Sequence, residues 1–417
     1  MKPDFKIYSA LLSLTILFSV AQASSQKDSW TGISTEEFYK TKIPASNPVT
    51  DAKIKLGEKL FNEKRISPTG TVSCATCHDP KRAFTDGKSV SEGINGLKGK
   101  RNSPTAMNAL FQDIQFWDGR APSLEEQAKL PILNPVEMGV KTPEEAVQRI
   151  RGIPAYAQLF ADAFNGSSEI TYDKMAMAIA SFERTLVSKP APFDRFLAGD
   201  LKAISPAAQR GWSTFNGRGR CVTCHAVNPT WPLFSDGKFH NIGVAAKNAN
   251  FSDLAKEAMG IVEKGNKEQI DNLAIESKFS DLGRFLVTKS RGDIGAFKTP
   301  SLRNIAVTAP YMHDGSFTTL WDVVDHYNKG GITNPFIDGG ITRLALSEAE
   351  INDLVELMTT FTSPEFEPLA KTELAKMRAL KGKRPQRDTK LAFGKTGDNS
   401  DAVLVQDMKN PAQVGGY

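Results

Sequence analysis

Large apolar residues recur at intervals of three and four through most of residues 50–363, and strict alternation of apolar and polar positions is scarce. That period is the helical one, so the pattern predicts a mainly α chain with few short strands. Helices are expected over 142–150, 155–164 and 172–186, the first opened by Thr142-Pro143-Glu144-Glu145, where a hydroxyl cap precedes a proline and two acids. Gly57-Glu58-Lys59-Leu60-Phe61-Asn62 and Gly211-Trp212-Ser213-Thr214-Phe215-Asn216 look alike, and each runs into a glycine-containing loop. This weak repeat divides the chain into helical domains at 24–190 and 191–363, joined near Lys189-Pro190-Ala191-Pro192. Residues at about 250–280 are rich in Lys and Glu and read as a polar helical insertion in the second domain. From 364 to 417 the pattern loosens: 371–387 are basic and helix-prone, 388–417 are polar with little to bury, and a solvated extension is expected.

A chain of 417 residues, 40% hydrophobic and 24% charged, is long enough to bury cores for two or three domains. The formal net charge of +5 is small for that length and points to no nucleic-acid partner. Residues 1–23 have the form of a secretory signal: Lys2 and Lys6, an apolar run over 10–20, then Ala21-Gln22-Ala23 as the cleavage site. The mature chain is expected to begin near Ser24, after Ala23, in the periplasm or an equivalent oxidising compartment. An uncleaved anchor is the competing reading, but the run is short for a span and no later stretch approaches spanning length, so no stable membrane insertion is expected.

All four cysteines lie in Cys74-Ala75-Thr76-Cys77-His78 and Cys221-Val222-Thr223-Cys224-His225. Two thiols three residues apart on a helical turn can each add to one haem vinyl group, and the next histidine then lies beneath the iron. Disulfides, a redox Cys-x-x-Cys or a zinc site are simpler readings, yet none requires a histidine directly after the second cysteine both times. Two covalently bound haem c groups are therefore expected, with His78 and His225 as proximal ligands. The fold class sharpens to two cytochrome c-like, mainly α haem domains packed around an inter-haem interface.

One segment runs Phe116-Trp117-Asp118-Gly119-Arg120-Ala121-Pro122-Ser123-Leu124-Glu125-Glu126-Gln127, continuing to Pro131 and Asn134-Pro135-Val136-Glu137-Met138-Gly139. Others are Arg101-Asn102-Ser103-Pro104-Thr105 and Thr299-Pro300-Ser301-Leu302-Arg303-Asn304, running to Pro310-Tyr311-Met312-His313-Asp314-Gly315. With both haem motifs, these segments resemble the bacterial di-haem cytochrome c peroxidase and MauG superfamily over residues 30–363. The resemblance implies peroxide chemistry at the His78 haem, with Glu137 as the distal acid–base, Gln127 orienting by a hydrogen bond and Pro131 shaping the pocket. A carboxylate in a dry pocket can move the proton from the inner to the outer peroxide oxygen. Taken alone, Glu137 reads more readily as a cap on the turn after Pro135. Trp117 matches a tryptophan between the haems, where an indole can relay electrons, although a tryptophan in the core is the plainer reading. Asn102, Thr308 and Pro310 match positions that hold an inter-haem calcium, an ion suited to hard oxygen donors.

Two features select a branch of the family. Members that need reductive activation carry a blocking histidine between the first haem motif and the Asn-x-Pro-Thr segment, and residues 79–101 contain none. The first haem is thus expected to meet peroxide without prior reduction. Where the second haem of ordinary peroxidases takes a methionine, this chain has Tyr327, as MauG-type proteins do. A thioether raises a haem potential, whereas phenolate oxygen stabilises higher oxidation states of iron. His326 stays open as the alternative ligand and Met312 as a weaker one; neighbours on a helix face different ways, so only one of residues 326 and 327 reaches the iron. His313 is expected to hydrogen-bond a propionate or pocket group, and His240 to pack near the second haem. The resemblance therefore implies an oxidoreductase that activates hydrogen peroxide at one haem and relays oxidising equivalents through the other to a partner protein. The first alternative is a peroxide-scavenging peroxidase with a small cytochrome or cupredoxin as donor. The second is a non-catalytic di-haem electron carrier.

Overall fold

The computed structural model describes residues 39–381, apart from 228–232 and 249. The expected signal peptide and residues 382–417 of the extension lie outside the described residues. The first half contains α1 (Asp51–Phe61), α2 (Cys74–Cys77), α3 (Leu124–Leu133), α4 (Pro143–Arg151), α5 (Ala155–Ala163) and α6 (Tyr172–Glu183). The second contains α7 (Pro192–Leu197), α8 (Pro206–Asn216), α9 (Phe251–Val262), α10 (Lys267–Glu276), α11 (Phe285–Thr288), α12 (Leu320–Asn328), α13 (Glu348–Thr359) and α14 (Glu367–Lys381). The only sheet among the described residues pairs β1 (Phe239–His240) with β2 (Phe297–Lys298), antiparallel, with His240 opposite Phe297. The fold is mainly helical, as the periodicity predicts.

The weak repeat has a packing cause. Helix α1 crosses α6, and α8 crosses α13 in the same way. Gly57 lies where α1 meets the Ala178 carbonyl, and Gly211 where α8 meets the Asp353 carbonyl; a Cβ at either position would overlap that oxygen. Only glycine permits so close an approach of two helix backbones. Phe61 and Phe215, one turn further on, are buried in the two separate cores.

The equivalence extends well beyond these helices. Asn108 and Asn304 both take the left-handed conformation, at φ 61 and 59. Their backbone N–H groups donate to Leu186 and Phe361 carbonyls, and their Oδ1 atoms accept from Ser188 and Ser363 N–H groups. Asparagine tolerates that conformation better than most residues, so each anchors a loop to its own half. Lys189, in the expected linker, is held as well: its carbonyl accepts from the Ser363 hydroxyl.

Two expectations are corrected. The 250–280 insertion is not simply polar, because Phe251, Ala255, Ala258 and Val262 on α9 and Ala274 on α10 build a third core, against which Trp117 packs. The extension is not solvated from 364 onward. Helix α14 docks through Ala370 on the first core, beside Phe366 of the turn before it, and through Met377 on the second, since the apolar residues of the helix share one face.

Candidate active site

Each haem motif ends on a histidine whose ring is oriented by a carbonyl. His78 Nδ1 lies 3.0 Å from the Phe84 oxygen, and His225 Nδ1 lies 2.9 Å from the Phe234 oxygen. A carbonyl can only accept, so both Nδ1 atoms carry the proton and both Nε2 atoms keep a lone pair for a metal. Phe84 and Phe234 sit at φ 57 and 52, a strained left-handed setting that aims each carbonyl at its histidine. Burial pushes both imidazoles below their ordinary pKa, which favours the neutral, ligating form.

Cys221, Cys224, His225 and Tyr327 line one cavity of about 270 Å³, which opens to solvent. His326 is committed elsewhere: its Nε2 donates to the Ile242 carbonyl at 2.8 Å, and its ring packs on Phe317 with centroids 5.2 Å apart. Met312 also lines the cavity. Burial holds the Tyr327 phenol above its ordinary pKa. The attachment thiols, the free Nε2 of His225 and the facing phenol suit a covalent haem with oxygen as its sixth ligand. His240 is clamped by Asp338 at 2.6 Å and Asp236 at 2.9 Å. Its pKa is pushed up to about 10 by contact with the Cys224 sulfur and by both carboxylates. Once Cys224 is a thioether, the carboxylates alone remain to hold the imidazolium.

On the first-haem side, Ser103 Oγ donates to the Cys77 carbonyl at 3.1 Å, and burial raises both the Cys74 and Cys77 thiols. Gln127 and Pro131 lie on α3, one turn apart. Pro131 has no N–H to give the Gln127 carbonyl, so the helix is locally relieved of a bond. Glu137 follows in a turn that its own N–H closes onto the Asn134 carbonyl at 3.1 Å, while its carbonyl accepts from Ile94 N–H at 2.8 Å. Burial, then the Asp271 charge, pushes the Glu137 carboxyl up to about 8, with Arg120 opposing and Glu276 adding. The Glu137 charge is felt at both first-motif thiols, which sets it on the same side of the fold as the attachment turn.

Between the motifs, Trp117 Nε1 donates to the Asn102 carbonyl at 2.9 Å, and Asn102 N–H donates to the His313 carbonyl at 2.7 Å. Asn102 Nδ2 donates to the Lys88 carbonyl at 2.9 Å. Trp117, Asn102, Thr308, Pro310 and His313 line the same cavity as His225. His313 stacks on Phe297, centroids 3.7 Å apart, and its buried Nε2 makes no hydrogen bond among the described residues. Two features escape a reading of the chain. Lys298 donates from Nζ to Gln112 and, at 2.7 Å, to the Ile114 carbonyl, and burial pushes its pKa down to about 7. Asp118 accepts from Arg101 at 2.6 Å and from Arg120 at 3.0 Å, and Arg120 also donates to Asp271 at 2.6 Å. Burial pushes Asp118 up, but Arg120 and Arg101 together hold its carboxyl well below the usual range.

Residues 51–202 match the family model described as di-haem cytochrome c peroxidase. The chain is 38% identical over 329 residues to the methylamine utilization protein MauG of Methylorubrum extorquens, covering 79% of this chain and 82% of that protein. It is 37% identical over 332 residues to the cytochrome-c peroxidase IdrP1 of Denitromonas iodatirespirans, covering 78% and 85%. Among solved structures, a MauG-like protein associated with microbial copper homeostasis superposes with a TM-score of 0.64 at 32% identity, over 78% of this chain and 96% of that one. With both histidines set to ligate behind their cysteine pairs, the chain belongs to the di-haem cytochrome c peroxidase and MauG family, an oxidoreductase family of peroxidase type whose members carry two haem c groups.

Proposed function

We propose that this protein is an exported, periplasmic enzyme of the MauG type that reduces hydrogen peroxide at the His78 haem and draws the electrons from a partner protein by way of the His225 haem. The haems, when bound, supply the iron that receives peroxide and the oxidation states that hold its two oxidising equivalents. His78 and His225 would each hold a haem iron through Nε2. Glu137 takes the proton from the inner peroxide oxygen and returns it to the outer one, which leaves as water. Gln127 orients the peroxide, and Pro131 shapes the pocket without competing for the iron. Tyr327 presents its phenol oxygen to the second site. Trp117 lies between the two halves as a relay, and Asn102, Thr308 and Pro310 offer the oxygen donors that suit calcium.

One observation carries the branch assignment: Tyr327 shares the cavity with His225, while His326 is bonded to Ile242. The test adds stoichiometric hydrogen peroxide to the purified diferric protein and records both haem spectra. A rapid change at both haems that persists without added reductant is expected; no reaction until one haem has been reduced overturns the reading. The likeness to IdrP1 favours a second reading, peroxide scavenging. Rapid turnover with a reduced small cytochrome c would support it.

A further inference from the structure

We propose that Asp271, carried by the 250–280 insertion of the second half, is a positioning residue for Glu137 in the first half: it fixes the turn that presents Glu137 and sets the charge that this carboxyl faces. The proposal rests on the reading of Glu137 as the proton carrier.

The geometry is a continuous chain of hydrogen bonds. Asp271 lies on α10, which packs against α3, and is 2% exposed. Its Oδ2 accepts from Asn134 Nδ2 at 2.6 Å, and its Oδ1 accepts from Arg120 Nε at 2.6 Å. Asn134 is the residue around which the Glu137 turn is built. Its carbonyl accepts from Glu137 N–H at 3.1 Å and Gly139 N–H at 2.9 Å, and its Oδ1 accepts from Val136 N–H at 3.1 Å. The amide nitrogen is thus the only side-chain atom of Asn134 left to tie the turn to anything else, and Asp271 holds it at 2.6 Å, with Asn272 Oδ1 more distant at 3.5 Å.

Arg120 is held from the other side by Asp118, and Asp118 by Arg101. Arg101 returns to the far end of the insertion, donating to the Ser280 carbonyl at 2.9 Å and to Ser280 Oγ at 3.2 Å. Lys100 N–H donates to the Ile275 carbonyl at 2.6 Å. The insertion is therefore fastened to the first half at the middle of α10, at its last turn and just beyond it. Arg120 is 3% exposed, and its Nη2 makes no hydrogen bond among the described residues. Charge in so dry a place acts strongly on its neighbours. The groups that bear on Glu137 are Asp271 and Glu276 from α10, which favour its neutral form, and Arg120, which opposes them; Asp118 pairs with Arg120 from behind and shares its charge with Arg101. The Cys74 and Cys77 sulfurs of α2 become uncharged thioethers on haem attachment.

The test follows the rate of the diferric holoprotein with hydrogen peroxide from acid to alkaline pH, in the parent, Asp271→Asn and Glu137→Gln. Removing the Asp271 charge should move the midpoint of the profile down by about one pH unit. The rate at the optimum should fall about 10-fold as the turn loosens. Glu137→Gln should flatten the profile and slow the reaction about 100-fold. If Glu137→Gln does so while Asp271→Asn keeps the parent midpoint and rate, the role of Asp271 is overturned. A parent-like rate for Glu137→Gln would instead overturn the reading of Glu137. Should Asp271→Asn fail to fold, Asn134→Ser keeps the buried charges and removes the tie; a slower reaction at full haem content supports the proposal, and an unchanged rate overturns it.

Discussion

Pro131 and Tyr327 occupy the same place in equivalent helices of the two halves. Each is the eighth residue of its helix, α3 or α12. Each helix is opened by a hydroxyl cap, Ser123 accepting from Glu126 N–H at 3.2 Å and Thr319 from Asp322 N–H at 3.1 Å. Upstream the match continues, with Trp117 opposite His313 and with Phe116 and Met312 both left-handed at φ 69 and 73. One scaffold thus carries a ring with neither donor nor acceptor at one helix position and a phenol at the equivalent one.

Replacing that phenol should change the second site and leave peroxide access to the first. Tyr327→Phe is expected to give a second haem without its oxygen ligand, visible as a new high-spin signal in low-temperature electron resonance. Tyr327→Met should raise the potential of that haem by on the order of 0.1 V or more, because a thioether favours the reduced iron. An unaltered second-haem spectrum in Tyr327→Phe would remove Tyr327 as the ligand.

The helix crossings should be intolerant of a single methyl group. Gly57→Ala and Gly211→Ala each set a Cβ against a backbone carbonyl, which cannot swing aside as a side chain does. Each is expected to cost about 2–3 kcal/mol and to lower the melting temperature of the holoprotein by about 5–10 °C. Alanine at a neighbouring exposed position of the same helix, such as Lys59→Ala, is the control. Equal melting temperatures for Gly57→Ala and the control would show that the helices separate at no cost.

Local chemistry is what the chain displays most openly. The two Cys-x-x-Cys-His turns and the run from Trp117 to Glu137 are legible because each depends on residues close in sequence. The helical insertion is legible as helix but not as a wall of the first site. The tie of Asp271 to Asn134 and Arg120 joins residues far apart in the chain, and an acid in a Lys/Glu-rich stretch looks like any other surface charge. The choice of Tyr327 over His326 rests in the sequence on the family resemblance alone. Both are plausible ligands, and only the carbonyl of Ile242 on one side and the cavity on the other distinguish their faces. The repeat is visible in the chain at Gly57 and Gly211 and at the two haem motifs, whereas equivalences that pair unlike residues, such as Trp117 with His313, escape it.

Glu183 makes the pH dependence of stability separable from that of catalysis. It is 6% exposed on α6, and its Oε2 has no hydrogen-bond partner among the described residues. Burial pushes its carboxyl up to about 8, with Arg184 opposing and Glu125 adding, and Arg184 is already paired with Glu125 at 2.7 Å. An acid whose folded pKa lies above its unfolded value of about 4.3 favours the folded state fully below that value. The favourable contribution is then lost as pH rises through 8, at about 1.4 kcal/mol per pH unit across the window. Glu183→Gln keeps the shape and removes the titration. Its melting temperature should therefore fall less steeply than the parent's between pH 5 and 8, and the two curves should run parallel above that range. Curves that are parallel throughout would mean that Glu183 does not titrate differently in the folded and unfolded protein.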